Sequence, residues 1–121
     1  MEESLFDVMG TPIAYISYDE ENTIYMWDGR PVAYLEPNRT IYGFNGKHLG
    51  WFESGFVRNL KGEIAGFNRL AADVFIGYEP YKSYKMYRPY RRYKEYAHYK
   101  PYYSHSKSKE SLAQFLLTGQ V

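Results

Sequence analysis

The residues best suited to recognition chemistry lie in one segment, where lysines and arginines alternate with tyrosines. Single-stranded nucleic-acid binders combine these residue types, because rings stack on bases and cations neutralise phosphates. The cations of the segment are Lys82, Lys85, Arg88, Arg91, Arg92, Lys94 and Lys100. Residues 78–103, which we call the arm, are therefore the first candidate for a binding surface.

No residue set predicts catalysis, a metal site or a cofactor. The histidines, His48, His98 and His105, lack the spacing of a metal site or of a nucleophile–base pair. The chain has no cysteine, which excludes disulfides and thiolate chemistry. No pair of carboxylates has a reason to act as general acid and base. We therefore expect a protein that is not an enzyme.

The tyrosines of the arm recur at every third residue. This tyrosine stripe consists of Tyr78, Tyr81, Tyr84, Tyr87, Tyr90, Tyr93, Tyr96, Tyr99 and Tyr102. Polyproline II has three residues per turn, so in that conformation all of these rings lie on one face. Pro80, Pro89 and Pro101 favour an extended backbone and oppose a helix. The sequence predicts a polyproline II-like arm with one aromatic face.

The residues before the arm contain four copies of one motif. The flanking residues match when the copies are aligned on four glycines, which are Gly10, Gly29, Gly46 and Gly62. An Asp or Asn precedes two of these glycines. Asp-Gly and Asn-Gly are typical of two-residue hairpin turns with positive φ at both central positions. We predict four hairpins, with strands at 4–8 and 11–17, 23–27 and 30–36, 40–44 and 47–53, and 56–60 and 63–68.

Each predicted hairpin pairs a branched aliphatic residue with a very small one. The pairs are Leu5 with Ala14, Ile24 with Ala33, Ile41 with Gly50, and Val57 with Gly66. Small residues let other groups approach closely, so we expect the hairpins to meet around a common centre. The next column holds Tyr15, Tyr34, Trp51 and Phe67, which we interpret as core packing, with a saccharide platform as the alternative.

The residues after the repeats predict two further features. Residues 74–76 form either a ninth strand or the anchor of the arm. Leu112, Phe115 and Leu116 have helical spacing, which predicts a short helix near 108–118. Ser106 or Ser108 would cap its start and Gly119 would end it.

The repeated units at 27–35 and 42–52 resemble those of the four-fold beta flower domain family. The resemblance covers roughly residues 4–68 and is expected to extend through the arm. It implies an all-β body of four hairpins in a pseudo-four-fold arrangement, and it implies no established activity. We divide the chain into a four-hairpin domain at 1–77, the extended arm at 78–103 and the short C-terminal helix at 104–121.

The charges of the body and the arm are opposite. Residues 1–77 carry 6 Lys/Arg and 11 Asp/Glu, whereas residues 78–103 carry 7 and 2. Extended, the arm would span on the order of 75 Å, far beyond a body about 30 Å across. It must fold back, project into solvent, or lie along another copy, and the last option uses both the stripe and the charges.

We therefore expect a structural or protein-interaction module that self-associates or binds another protein through the arm. Single-stranded nucleic-acid binding through the arm is the first alternative, although nucleic acid needs no strict triplet register. Saccharide binding on the repeated aromatic residues is the second. The acidic start of the chain and the lack of a long apolar run predict a cytoplasmic protein with no membrane partner.

Overall fold

The computed structural model describes all 121 residues and contains eight antiparallel strands in a closed barrel. Each strand pairs with the next along the chain, and β1 also pairs with β8 to close the barrel. The strands are β1 (Glu2–Asp7), β2 (Pro12–Ser17), β3 (Thr23–Met26), β4 (Pro31–Leu35), β5 (Thr40–Gly43), β6 (His48–Glu53), β7 (Phe56–Asn59) and β8 (Ile64–Phe67). The all-β prediction is confirmed, and closure leaves no open sheet edge.

The four predicted cross-strand pairs are all present. Leu5 lies opposite Ala14, and Ile24 opposite Ala33. Ile41 lies opposite Gly50, and Val57 opposite Gly66. In each pair of strands the register then shifts by one residue directly after the aliphatic position.

The turns differ from the predicted two-residue type. Only the glycine of each turn has a positive φ, between 81° and 96°, and the preceding residue does not. In the first turn the Gly10 N–H donates to the Asp7 carbonyl and the Asp7 N–H donates to the Thr11 carbonyl, and the other three turns repeat both bonds. This is a three-residue loop with a glycine bulge. The bulge explains the register shift.

The barrel interior is filled by aliphatic side chains and by the C-terminal helix α1 (Leu112–Leu117). Leu112, Phe115 and Leu116 are buried, as their spacing predicted. The Phe115 ring lies against Gly50 and the Leu112 side chain lies against Gly66. The small residues therefore make room for the helix, which is what the four hairpins share at their centre.

Two details of the C-terminal prediction are wrong. The N-cap is Ser111, whose Oγ accepts from the Gln114 N–H at 3.1 Å, and neither Ser106 nor Ser108 caps the helix. Ser106 and Ser108 instead exchange backbone hydrogen bonds with Ile64 beside β8. Residues 74–76 form no strand, so the first of the two alternatives for them is also wrong.

The arm has neither helix nor strand along its length. None of the helices has the length and apolar character needed to cross a membrane.

Candidate interaction surface

The arm runs past the four hairpin turns in regular steps of nine residues. The N–H groups of Gly77, Met86, Glu95 and Ser104 donate to the carbonyls of Gly10, Gly29, Gly46 and Gly62 in that order. A second series follows the same interval, because the N–H groups of Ser83 and Arg92 donate to the carbonyls of Trp27 and Phe44. Three triplets of the arm therefore correspond to one hairpin.

The turn glycines also provide the space that the arm backbone occupies. A Cβ at Gly10, Gly29 or Gly46 would lie 2.0 Å from the carbonyl oxygen of Phe75, Tyr84 or Tyr93 respectively. At Gly62 the corresponding distance, to the Tyr102 oxygen, is 2.8 Å. These carbonyls are again nine residues apart. The same glycines thus serve both the turn and the docking of the arm.

A layer of aromatic rings separates the barrel from the arm. We call it the aromatic wall, and its members point away from the interior, because their neighbours along each strand belong to the inner core. Tyr15 stacks on Tyr25 with centroids 5.6 Å apart, and Tyr34 stacks on Tyr42 at 6.2 Å. The wall comprises Tyr15, Tyr25, Trp27, Tyr34 and Tyr42.

Four of the seven arm cations lie over the rings of this wall. Lys82 Nζ lies 5.0 Å from the Tyr15 centroid and 4.9 Å from that of Trp27. Arg91 Cζ lies 3.7 Å from the Tyr34 centroid, which is a close cation–π contact. Lys85 and Lys94 continue the series over Tyr25 and Tyr42.

The same side chains reach carboxylates of the barrel loops. Lys82 and Lys85 pair with Glu2, Arg88 with Glu20 and Glu21, Lys94 with Glu36, and Lys100 with Glu53. Burial would raise the pKa of Glu2, but hydrogen bonds and charges from Lys85 and Lys82 outweigh burial and lower that pKa. The hydrogen bond to Glu2 raises the pKa of Lys85. Arg91 and Arg92 have no such carboxylate partner.

The opposite charges of body and arm are therefore matched within one chain. Of the three options for the arm, the structure shows the first, because the arm folds back on its own barrel. An arm longer than the diameter of the body can still fit that body when it follows the circumference.

The tyrosine stripe faces solvent along its whole length. Tyr78 is 85% exposed and the other eight rings are between 96% and 102% exposed. The sequence predicts one binding site that contains these rings and the cations. The structure instead places the rings in solvent and the paired cations against the barrel. Bulky amphipathic rings at this exposure are unusual on a protein that has no partner.

The four aromatic residues that recur at one position of the hairpin repeat are buried. Tyr15, Tyr34, Trp51 and Phe67 are between 1% and 3% exposed, as expected for packing residues. They therefore offer no open platform for a saccharide.

A histidine pair joins the third hairpin to the arm. His48 Nε2 lies 3.1 Å from the Gly50 carbonyl and donates to it, while His48 Nδ1 accepts from the His98 N–H at 2.9 Å. The His48 N–H donates to Glu95 Oε2 at 2.9 Å. Burial lowers the pKa of His48, so the neutral ring holds the arm. His48 thus links the third hairpin to the arm through its ring and its backbone N–H.

In the fourth hairpin the buried arginine Arg58 occupies the position that corresponds to Tyr25 and Tyr42 of the aromatic wall. The Arg58 guanidinium lies 5.2 Å from the Phe56 centroid and 4.5 Å from that of Tyr103. It donates to the carbonyls of Gly62 and Ser104. Burial lowers the pKa of Arg58. Arg58 thus fastens the end of the arm to the last turn.

A polar cleft of about 620 Å³ opens between the third and fourth turns and α1. Lys47, Lys61 and Lys109 line it together with Glu63 and Glu110. No group of three or more His, Cys, Asp or Glu residues is placed to hold a metal ion.

The nine-residue step and the inward direction of the cations were not predicted from the sequence. A signal for both was present, because Lys82, Arg91 and Lys100 are nine residues apart, as are Pro80 and Pro89. The shorter three-residue period of the tyrosines conceals this interval.

Comparison with known proteins gives one family match. A family model described as "4-fold beta flower protein" matches residues 3–116. No curated protein and no solved structure matches the chain.

Proposed function

The chain belongs to the 4-fold beta flower family, and from that premise we propose that it is a non-enzymatic interaction module that self-associates through its tyrosine stripe. The proposal depends mainly on one observation. The arm turns its cations toward its own barrel and its nine tyrosines toward solvent. The partner we commit to is a second copy of this chain.

The proposal includes a pseudo-four-fold body encircled by a polyproline II-like arm. A barrel of eight strands about 4.8 Å apart and tilted by about 40° has a backbone radius of about 8 Å. A further layer about 10 Å out would have a radius of about 18 Å. Three quarters of that circumference is about 85 Å, which is close to 27 residues at about 3.1 Å each. The nine-residue steps fit this geometry.

The exposed area supports an interaction role. An aromatic side chain offers about 150–250 Å² for burial, so nine of them offer about 1,800 Å². The total accessible surface is 7367 Å², so the stripe accounts for about a quarter of it. The rings are separate from one another, but their summed area is several times the roughly 300–600 Å² of the largest apolar patch on a typical monomer.

The charges favour a second copy over nucleic acid. Five of the seven arm cations have carboxylate partners on the barrel, and a sixth, Arg91, stacks on Tyr34. A phosphate backbone would have to compete with those contacts, and only Arg92 is free of them. The net charge of +1 opposes association between copies very little.

The test is solution mass by light scattering after size exclusion, on the full chain. We expect wild type to exceed 14.3 kDa and a variant with all nine stripe tyrosines changed to serine to elute as a monomer. The control replaces Lys47, Lys61 and Lys109 with serine, because these lysines form no ion pair and lie outside the stripe. The control should associate as wild type does.

A wild-type monomer at all concentrations would refute self-association. Fluorescence anisotropy with a single-stranded oligonucleotide at about 50 mM and 200 mM salt then tests the first alternative, which requires affinity that falls steeply with salt. A glycan-binding assay on the same variants tests the second, because binding on the repeated aromatic residues should survive the loss of the stripe.

A further inference from the structure

We infer that copies of this chain join by interlocking their tyrosine rings, and that the resulting assembly is open-ended rather than a closed dimer. This inference rests on the proposed function. It is carried by the spacing of the rings and by their distribution along an arm that passes all four hairpins.

The spacing makes the stripe complementary to itself. In an extended arm, rings three residues apart are about 9 Å apart at the backbone. A ring from another copy inserted midway would lie about 4.6 Å from both neighbours. Because the arm is curved, its rings diverge outward, and the distance between an inserted ring and its neighbours increases to about 6 Å. Both values fall within the 4.5–7 Å that aromatic pairs prefer, so two stripes fit when they are offset by half a step.

The curvature keeps each contact small. Four nine-residue steps make about one full turn and hold twelve triplets, so neighbouring rings are about 30° apart. Two convex surfaces that overlap by the length of one ring, about 6 Å, engage two or three rings on each side. Six rings at about 150 Å² bury about 900 Å², which is below the roughly 1,200 Å² of standard stable interfaces.

The distribution of the rings allows several such contacts at once. Tyr78 lies beside the first hairpin and Tyr102 beside the fourth, so the stripe follows about two thirds of the circumference. One contact occupies two or three of the nine rings. The remaining rings stay open for a third copy. Weak contacts that repeat around one molecule produce assemblies that grow with concentration.

Charge interferes little with this mode of contact, because Arg92 is the one arm cation that no barrel carboxylate or ring holds. Lys82, Lys85, Lys94 and Lys100 are held against the barrel by carboxylates. They therefore do not project between the rings of two approaching copies. The outward face consists mainly of phenol rings, whose hydroxyl groups stay hydrated at the rim of each contact.

The experiment compares three full-length proteins by sedimentation velocity over about a hundredfold range of concentration. They are wild type, a three-ring variant that keeps only Tyr84, Tyr87 and Tyr90 with the other six tyrosines changed to serine, and the nine-serine variant. We expect the mean mass of wild type to rise beyond twice 14.3 kDa, the three-ring variant to stop at the dimer, and the nine-serine variant to stay a monomer.

Matched thermal unfolding midpoints establish that all three proteins are folded, and a parallel series with threonine replaces any serine variant that does not fold. A wild type that stops at a dimer overturns the open-ended assembly and leaves self-association standing. Growth of the three-ring variant beyond a dimer also overturns it. A wild type that stays monomeric overturns both proposals.

Discussion

Gly46 lies directly beneath the backbone of Tyr93, and a Cβ at this glycine would lie 2.0 Å from the Tyr93 carbonyl oxygen. Gly46 also has a φ of +90°, which disfavours every L-residue with a side chain. The positive φ and the contact with Tyr93 both exclude a Cβ atom at Gly46. The turn and the arm are therefore coupled, although 47 residues separate these two residues in the sequence.

Gly46→Ala is expected to destabilise the protein and to loosen the arm. Alanine in this conformation costs about 1–2 kcal/mol, and the clash with Tyr93 adds to that cost. Chemical denaturation measures the loss of stability, and limited trypsin digestion reports cleavage in the arm. Gly77→Ala is the matched control, because a Cβ there meets nothing closer than 3.4 Å. Equal behaviour of the two variants would contradict the close approach.

Phe115→Ala should remove the centre of the core. Phe115 is 3% exposed and its ring touches Gly50, so we expect a loss of about 3–5 kcal/mol in the free energy of unfolding. Gln114→Ala is the control, because Gln114 is exposed on the same helix. Urea denaturation followed by circular dichroism compares the two. If the loss is below about 1 kcal/mol, α1 does not fill the barrel.

Two tyrosines of opposite exposure should respond differently to the same change. Tyr25 is 1% exposed and Tyr87 is 100% exposed. Tyr25→Ala should cost about 3–5 kcal/mol, whereas Tyr87→Ala should stay within about 0.5 kcal/mol. Thermal unfolding at a concentration low enough to limit association measures both. A large effect of Tyr87→Ala would mean that the stripe packs against the barrel.

Acidification should weaken the docking of the arm through His48. Burial lowers its pKa in the folded protein, so between about pH 6.5 and that lower value the unfolded chain binds a proton that the folded chain does not. Stability therefore falls as the pH falls through this window. The groups facing the ring are His98, Glu95 and Glu36, and the rings of Tyr42 and Trp51 pack beside it.

The measurement is the unfolding midpoint at pH 7.5 and at pH 5.5 for wild type and for His48→Gln. The glutamine variant should be less stable at pH 7.5 and should lose part of the pH dependence, because it has no ring to protonate. His105→Gln is the control, because His105 is exposed and makes no contact with the His48 ring. An unchanged pH dependence in His48→Gln would rule out His48 as its source.

The carboxylates that pair with the arm affect stability at lower pH than His48 does. Hydrogen bonds from Tyr103 and Lys100 outweigh burial and lower the pKa of Glu53. A carboxyl with a lowered pKa contributes stability above its unfolded pKa, and that stability is lost as the pH falls toward the folded value. Glu53→Gln should therefore reduce the loss of stability as the pH falls below about 4.5, as measured by denaturation at fixed temperature. An unchanged acid profile would mean that this pair contributes nothing to arm docking.

The strand pairing was predictable because it depends on local repetition. Leu5 with Ala14 and its three counterparts follow from the position of one glycine in each copy, and antiparallel neighbours in sequence are neighbours in space. The turn type was not predictable from Asp28-Gly29 and Asn45-Gly46 alone. These dipeptides suit both two-residue and three-residue loops. In the three-residue loops of the structure, Asp28 Oδ1 accepts from the Arg30 N–H and Asn45 Oδ1 accepts from the Lys47 N–H.

The sequence by itself determined that the protein has four related hairpins, a stripe of tyrosines with period three and an oppositely charged arm. Periodicity encodes these features directly. Only the tertiary structure decided which face of the arm meets the barrel. The three-residue period places the rings together on one face but does not say whether that face is inside or outside. The aromatic wall, the loop carboxylates and the turn glycines, all distant in sequence, bind the cations and the arm backbone and leave the tyrosines in solvent.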